Sequence, residues 1–139
     1  QYVRVESYLM GDDFHFNIDI APDVDASSVR IPSMFIQIMT ENSIKHALRN
    51  KEGIKLLSIT VRHEHNNTVI RVTDNGPGFN PVTLRRKTGM NIISQTIAVI
   101  NLHNKDKIRF DIHNIYSSDG KQIKGCEAML KVPDGVKIE

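Results

Sequence analysis

A single cysteine, Cys126, among 139 residues excludes an internal disulfide framework and fits a reducing compartment. No apolar run approaches the ~20 residues needed to span a bilayer, and no signal-peptide pattern opens the chain. An initiator methionine is also lacking: the sequence starts at Gln1, so it is expected to be a piece excised from a longer protein. Charge of one sign is scarce. The formal net charge of +2 is far from the clustered positive charge of a dedicated nucleic-acid binder, and no nucleic-acid partner is expected. There is no internal repeat and no low-complexity segment. What is present is 40% hydrophobic content, enough for one globular domain with its own core.

The stretch with the most to explain runs from Pro32 to Gly53 and reads as one helix. Pro32-Ser33 is a helix start signal and Gly53 a stop. At 100° per residue, Ile36, Met39, Ser43, Ile44, Ala47 and Leu48 share a broad, mostly apolar arc, while Glu41, Asn42, Lys45, His46 and Arg49 gather on the other side. Asparagine is a poor helix former, so Asn42 in mid-helix, with a lysine and a histidine three and four residues on, calls for a reason beyond a solvated face.

Around this helix the pattern is regular. Residues 1–10 read as the end of a helix that begins upstream. Phe14, Phe16, Ile18 and Ile20 alternate with polar residues, as in a half-buried strand, and residues 21–28 read as loop. A strand from about Ile54 to His63, a turn at Asn66-Asn67 and a strand from about Thr68 to Asp74 make a hairpin. Residues 75–88 form a long irregular loop carrying Arg85-Arg86-Lys87, and loops of that length in compact domains are usually functional or mobile. A helix from Gly89 to Leu102, a strand around Ile108 to Ile112, a polar turn at Ser117 to Gly120 and a strand through Cys126 to Val132 close the chain. The order α-β-α-β-β-loop-α-β-β predicts a two-layer α/β sandwich, its sheet mixed or antiparallel and its helices on one face.

Two further signals carry chemistry. Asp74-Asn75-Gly76-Pro77-Gly78-Phe79 follows a strand directly. Its glycines permit close backbone approach to a ligand, and the aspartate can accept from an exocyclic amine such as that of adenine. Asn-Gly and Pro-Gly are also ordinary turn dipeptides, yet no strand pattern resumes after Phe79. Thr88-Gly89-Met90 opens a helix behind the basic run, where free N–H groups and the helix dipole suit a phosphate. Of the six histidines, none has the context of a phosphate acceptor. His15 sits in an alternating strand, and His63-Glu64-His65 reads as a hairpin end in preference to a metal pair.

Taken in order, these three signals resemble the Bergerat-fold ATPases: histidine kinases, Hsp90, MutL and type II topoisomerases. Within that group the chain is most similar to sensor histidine kinases of the LytS type. Ile31-Pro32 through Gln37 and Glu41-Asn42-Ser43-Ile44-Lys45-His46 match that family's I-P-x-x-x-x-Q-x-x-x-E-N-A-I-K-H, Tyr2 and Glu6 its lead-in, and Gly125-Cys126 through Pro133 its closing strand.

The resemblance implies a division into an upstream helix end at 1–10 and an ATP-binding catalytic domain at 11–139, with ATP and Mg²⁺ as cofactors. Asn42 would ligate the Mg²⁺. Lys45 would contact phosphates, and His46 would line the nucleotide pocket. Asp74 would read the adenine amine, Gly76 and Gly78 would shape the wall, and Gly89 with Met90 would close a lid over the phosphates. Hydrolytic members of the group carry a water-activating glutamate four residues before the asparagine. Here that position is Ile38, inside the polar arc, and Glu41 at the arc's edge is the nearest acidic substitute, completing a catalytic set with Asn42 and Lys45. Transfer of the γ-phosphoryl group to a histidine in an upstream domain is therefore implied over hydrolysis. A response regulator, a homodimer in the full-length protein, and membrane attachment through segments outside this sequence are implied with it. The alternative is a degenerate nucleotide-binding or interaction module without kinase activity, because two positions depart from the family: Arg85-Arg86-Lys87-Thr88 lacks a lid glycine, and Cys126 stands where threonine is common.

Overall fold

The computed structural model describes residues 13–21, 30–48, 51–78 and 88–136, the side chains of 30–33, 46, 88 and 89 excepted. The helix end expected at residues 1–10 and the basic run at 85–87 lie outside those residues. In chain order the elements are β1 (Phe14–Ile20), α1 (Arg30–Asn42) continuing as a π-helical segment (Ser43–Leu48), β2 (Lys55–Glu64), β3 (Asn67–Asp74), α2 (Thr88–Leu102), β4 (Arg109–Tyr116) and β5 (Ile123–Pro133).

The strands form one five-stranded sheet in the order β1-β2-β3-β5-β4. β1 pairs in parallel with β2, from Phe14 opposite Lys55 to Ile20 opposite Val61. The link between them is the crossover that contains α1, as a parallel pair requires. The remaining pairings are antiparallel, so the sheet is mixed and mostly antiparallel, as expected.

Alternation decides which face meets the helices. Leu57, Ile59 and Val61 of β2, Ile70 and Val72 of β3, and Ala128, Leu130 and Val132 of β5 are buried in one core with Phe35 and Met39 of α1 and Met90, Ile93, Ile97 and Ile100 of α2. Each fully buried aliphatic side chain of this kind contributes about 1.5–3 kcal/mol. Phe35, fully buried, meets Phe110 of β4 edge to face with ring centroids 5.6 Å apart, which ties α1 to the far edge of the sheet. The sheet's other face is polar: Arg71 forms an ion pair with Glu64 at 3.1 Å, and the His113 ring nitrogen Nε2 lies 3.0 Å from the Glu127 carboxylate.

Several boundaries differ from the sequence reading. β4 runs past Ile112 to Tyr116 and β5 begins before Cys126, at Ile123. The turn is closed tightly by the Ser117 N–H donating to the Gln122 carbonyl at 2.8 Å, and pairing continues up to it. α1 starts at Arg30, two residues before Pro32, because a proline in the first helical turn removes an N–H that has no helical partner there. The helix stops at Leu48 instead of Gly53, whose positive φ of 81° serves the connection to β2. The hairpin turn is His65-Asn66, both at positive φ, a two-residue loop whose twist suits the strands. Asn67 instead opens β3, and its amide donates to the His65 carbonyl at 2.9 Å.

Candidate functional site

The site forms where the π-helical segment passes the end of β3. Within Ser43–Leu48 the helix leaves the α register, a feature often found at functional sites. Ile44 and Leu48 remain fully buried and Ala47 packs against the core. Lys45 is exposed. Ser43, placed by the wheel on the apolar arc, is buried but polar in role: its hydroxyl donates to the Asp74 carboxylate.

Asp74 is the last residue of β3 and is only 6% exposed. Its Oδ1 accepts from the Gly76 N–H at 2.9 Å, and the Ser43 hydroxyl and the Cys126 N–H also donate to it. Burial nevertheless pushes this carboxyl above the ordinary aspartate value, the three donors only partly offsetting desolvation. An acceptor held in this way suits an amine donor brought by a ligand.

Because the Asp74 pKa is raised on folding, the stability tied to it is complete below the unfolded value and is lost as pH rises through the folded one. Binding runs the other way, since protonation removes an acceptor. Preference for a nucleotide bearing the exocyclic amine should therefore fall as pH drops, starting above the ordinary aspartate pKa near 3.8. Calorimetry with ADP and inosine diphosphate across that range reads the ratio, which cancels phosphate protonation. Adenine N1 also takes up a proton in acid, so Asp74→Asn supplies the baseline, and the parent ratio should fall more steeply than that of the variant.

The glycines are fixed by contact. A Cβ on Gly76 would lie 2.6 Å from the Ala47 Cβ, so the loop after β3 seats directly on the π-helical segment. Gly78 has φ of 85°, and a Cβ there would meet Asn114 Oδ1 and Ile123 Cγ2, each at 2.7 Å. Asn75, between these features, is bonded to the start of β2: its Oδ1 accepts from Leu56 N at 2.8 Å and its Nδ2 donates to the Ile54 carbonyl at 3.0 Å.

Beside this junction lies a cleft of about 680 Å³ lined by Lys45, Ala47, Lys51, Asn75, Gly76, Pro77, Ile123 and Lys124. The volume is in the range of small-molecule sites. Three lysines with an exposed Ile123 offer both a cationic rim and an apolar surface. Lys51, Ile123 and Lys124 were not found from the sequence, because they join the site only through the fold.

Asn42 is half-buried at the end of α1, and among the described residues its Nδ2, buried, finds no hydrogen-bond partner. A buried amide with an unsatisfied donor is expensive for a fold to keep, which makes Asn42 a fit candidate for a ligand. Its amide oxygen is the hard donor that Mg²⁺ prefers. Glu41 is half-buried beside it, while the His46 side chain lies outside the described residues. Gly89 and Met90 open α2, but the Met90 side chain is buried in the core, leaving backbone as the group it could present. Ile38, placed in the polar arc by the wheel, packs instead against the core. The reason is width: the inward face of α1 also includes Phe35 and so extends past the predicted arc.

Among the described residues, no group of His, Cys, Asp and Glu could hold a metal ion, and His63 pairs instead with Asp134 at 2.8 Å. Among them also, no helix is long and apolar enough to cross a membrane.

No family model matches the chain. It is similar to the sensor histidine kinase YpdA of Escherichia coli, 28% identical over 109 residues covering 78% of this chain and 19% of that protein. It is also similar to the sensor protein LytS of Staphylococcus haemolyticus, 30% identical over 67% of this chain and 17% of that protein. The chain thus spans about a fifth of the length of these curated relatives. Among solved structures, the catalytic domain of histidine kinase ThkA superposes with a TM-score of 0.62 over 96% of this chain and 88% of that one, at 14% identity. The histidine kinase domain of the blue-light activated kinase of Erythrobacter litoralis gives 0.68 over 94% and 60%, at 12% identity.

Proposed function

We propose that this chain, a relative of the LytS-type sensor histidine kinases with the fold of histidine kinase catalytic domains, is the ATP-binding catalytic domain of such a kinase. It binds Mg·ATP and passes the γ-phosphoryl group to a histidine in an upstream helical domain, from which a response regulator receives it. Residues 1–10 are then the end of the helix joining the two domains, and 11–139 the catalytic domain. In the full-length protein the domain works as part of a homodimer, on the cytoplasmic side of membrane-spanning segments outside this sequence.

The observation that carries this reading is the buried Asp74 carboxylate, with its three donors, beside a lysine-rimmed cleft of nucleotide size. Asp74 supplies the acceptor for adenine. Lys45, Lys51 and Lys124 supply charge for the phosphates, and Asn42 an oxygen for Mg²⁺, which neutralises phosphate charge when bound. Ile38 offers no base for water where hydrolytic members of the Bergerat group have glutamate, so positioning and charge neutralisation favour transfer.

Calorimetric titration with ADP and Mg²⁺ should show saturable binding. Absence of binding in the millimolar range would defeat the reading and favour a degenerate interaction module. Steady hydrolysis of ATP by the isolated domain would defeat transfer while leaving nucleotide binding intact.

A further inference from the structure

The β2–β3 ladder ends with Leu57 opposite Asp74. One step beyond, Leu56 and Asn75 should form the next pair, but only half of it is backbone: the Asn75 N–H donates to the Leu56 carbonyl at 3.2 Å. The return bond comes from a side chain, since Leu56 N donates to Asn75 Oδ1 at 2.8 Å, and Asn75 Nδ2 reaches on to the Ile54 carbonyl at 3.0 Å. One residue therefore continues the ladder with its amide while its own carbonyl is released from pairing. That release lets the backbone turn at once, so that Gly76 N–H comes back to Asp74 Oδ1 and the loop seats on Ala47.

We propose that Asn75 is a positioning residue for base selection: its side chain anchors the turn to the start of β2 and so holds the Asp74 carboxylate in the orientation that reads the exocyclic amine. This rests on the nucleotide reading of the site. Asn75 acts through Asp74 and need not touch the base. Ile54 and Leu56 are exposed, so water can replace the amide at both backbone groups when it is removed. The loss falls on the orientation of the turn and leaves the core intact.

The test compares the parent domain with Asn75→Ala and Asn75→Asp, the latter keeping an acceptor for Leu56 N–H and losing the donor to Ile54. Calorimetry with ADP and with inosine diphosphate, which lacks the amine, gives the selectivity ratio, and NMR amide exchange follows Gly76. The ratio should fall about tenfold in Asn75→Ala, equivalent to one well-made hydrogen bond. It should fall less in Asn75→Asp, exchange at Gly76 should rise, and the melting temperature should move by only a few degrees. A parent that binds neither nucleotide removes the nucleotide reading and this proposal with it. A parent that binds both equally leaves nucleotide binding standing but removes the amine-reading role of Asp74, and with it this proposal. A selective parent whose Asn75→Ala variant keeps the same ratio removes this proposal alone. Failure of both variants to fold would also overturn it, by making Asn75 a determinant of sheet stability.

Discussion

Asn42→Ala is expected to lower affinity for Mg·ATP by about 100-fold, as loss of a contact between a polar group and an ion worth about 2–3 kcal/mol requires. The same substitution should leave the fold as stable or slightly more so. Asn42 Nδ2 is buried with no partner among the described residues, and alanine both removes that orphan and favours the helix by about 0.6 kcal/mol. The melting temperature should stay level or rise by up to about 5 °C. Calorimetry with and without Mg²⁺, alongside thermal unfolding, separates the two effects. Unchanged affinity would refute the role of Asn42. A large fall in melting temperature would show that its amide is structural. A residue whose removal stabilises the fold while abolishing binding is kept for function.

Gly125→Ala should give the largest loss of stability. Its Cβ would lie 2.0 Å from the Asp74 carbonyl oxygen and 3.1 Å from the Asn75 Cα, all backbone atoms that no rotamer change can move aside. β3 and β5 must separate at the Asp74–Cys126 pair. Overpacking costs about 1–3 kcal/mol and each ladder bond lost about 1 more, so a fall of roughly 10 °C in melting temperature is expected. The same separation withdraws the Cys126 N–H from Asp74, so discrimination between ADP and inosine diphosphate should drop as well. Gly120→Ala is the contrast: that turn glycine has φ of 72° but open space around it. It should lose about 1 kcal/mol to backbone strain and keep its discrimination. If Gly125→Ala melted like the parent, the close approach of the two strands would be disproved.

Most of this fold could be read from alternation and helical spacing, because one covered sheet face imposes a period of two and one buried helix face a period near 3.6. Phe14 to Ile20 and the hairpin strands lie within a residue of expectation, while the closing strands were placed correctly but read too short. Asp74, Gly76 and Gly78 stood out because no strand pattern resumes after them. Asn-Gly and Pro-Gly are ordinary turn dipeptides, however, so their assigned role came from the order of the three signals and the resemblance. The rest depended on geometry that pattern does not carry. A helical wheel assumes one angular step throughout, so it could not foresee the change of register at Ser43, nor that this serine would turn a place on the apolar arc into a hydrogen bond with Asp74. It set Ile38 among polar neighbours, although that side chain packs on the core. Asn75 reads as a turn residue; only the strand beside it shows what its amide holds. Gly125 needs to be glycine because of a strand more than 50 positions earlier, a dependence outside any local window. Cys126 drew notice for its side chain, yet the group that serves Asp74 is its backbone N–H.

The parallel pairing of β1 with β2 also bears on the order of folding. β2, β3, β5 and β4 meet through antiparallel pairs, the first of them a two-residue hairpin that can close in microseconds. β1 reaches its partner only across the whole crossover, so its closure must wait for α1 and carries the larger loop entropy. The helix ending in Asn42 thus belongs to the chain segment that links the last strand to dock with the earliest-formed part of the sheet. That helix packs on β3, β5 and α2, so fraying of the edge strand β1 would leave its seat on the sheet in place.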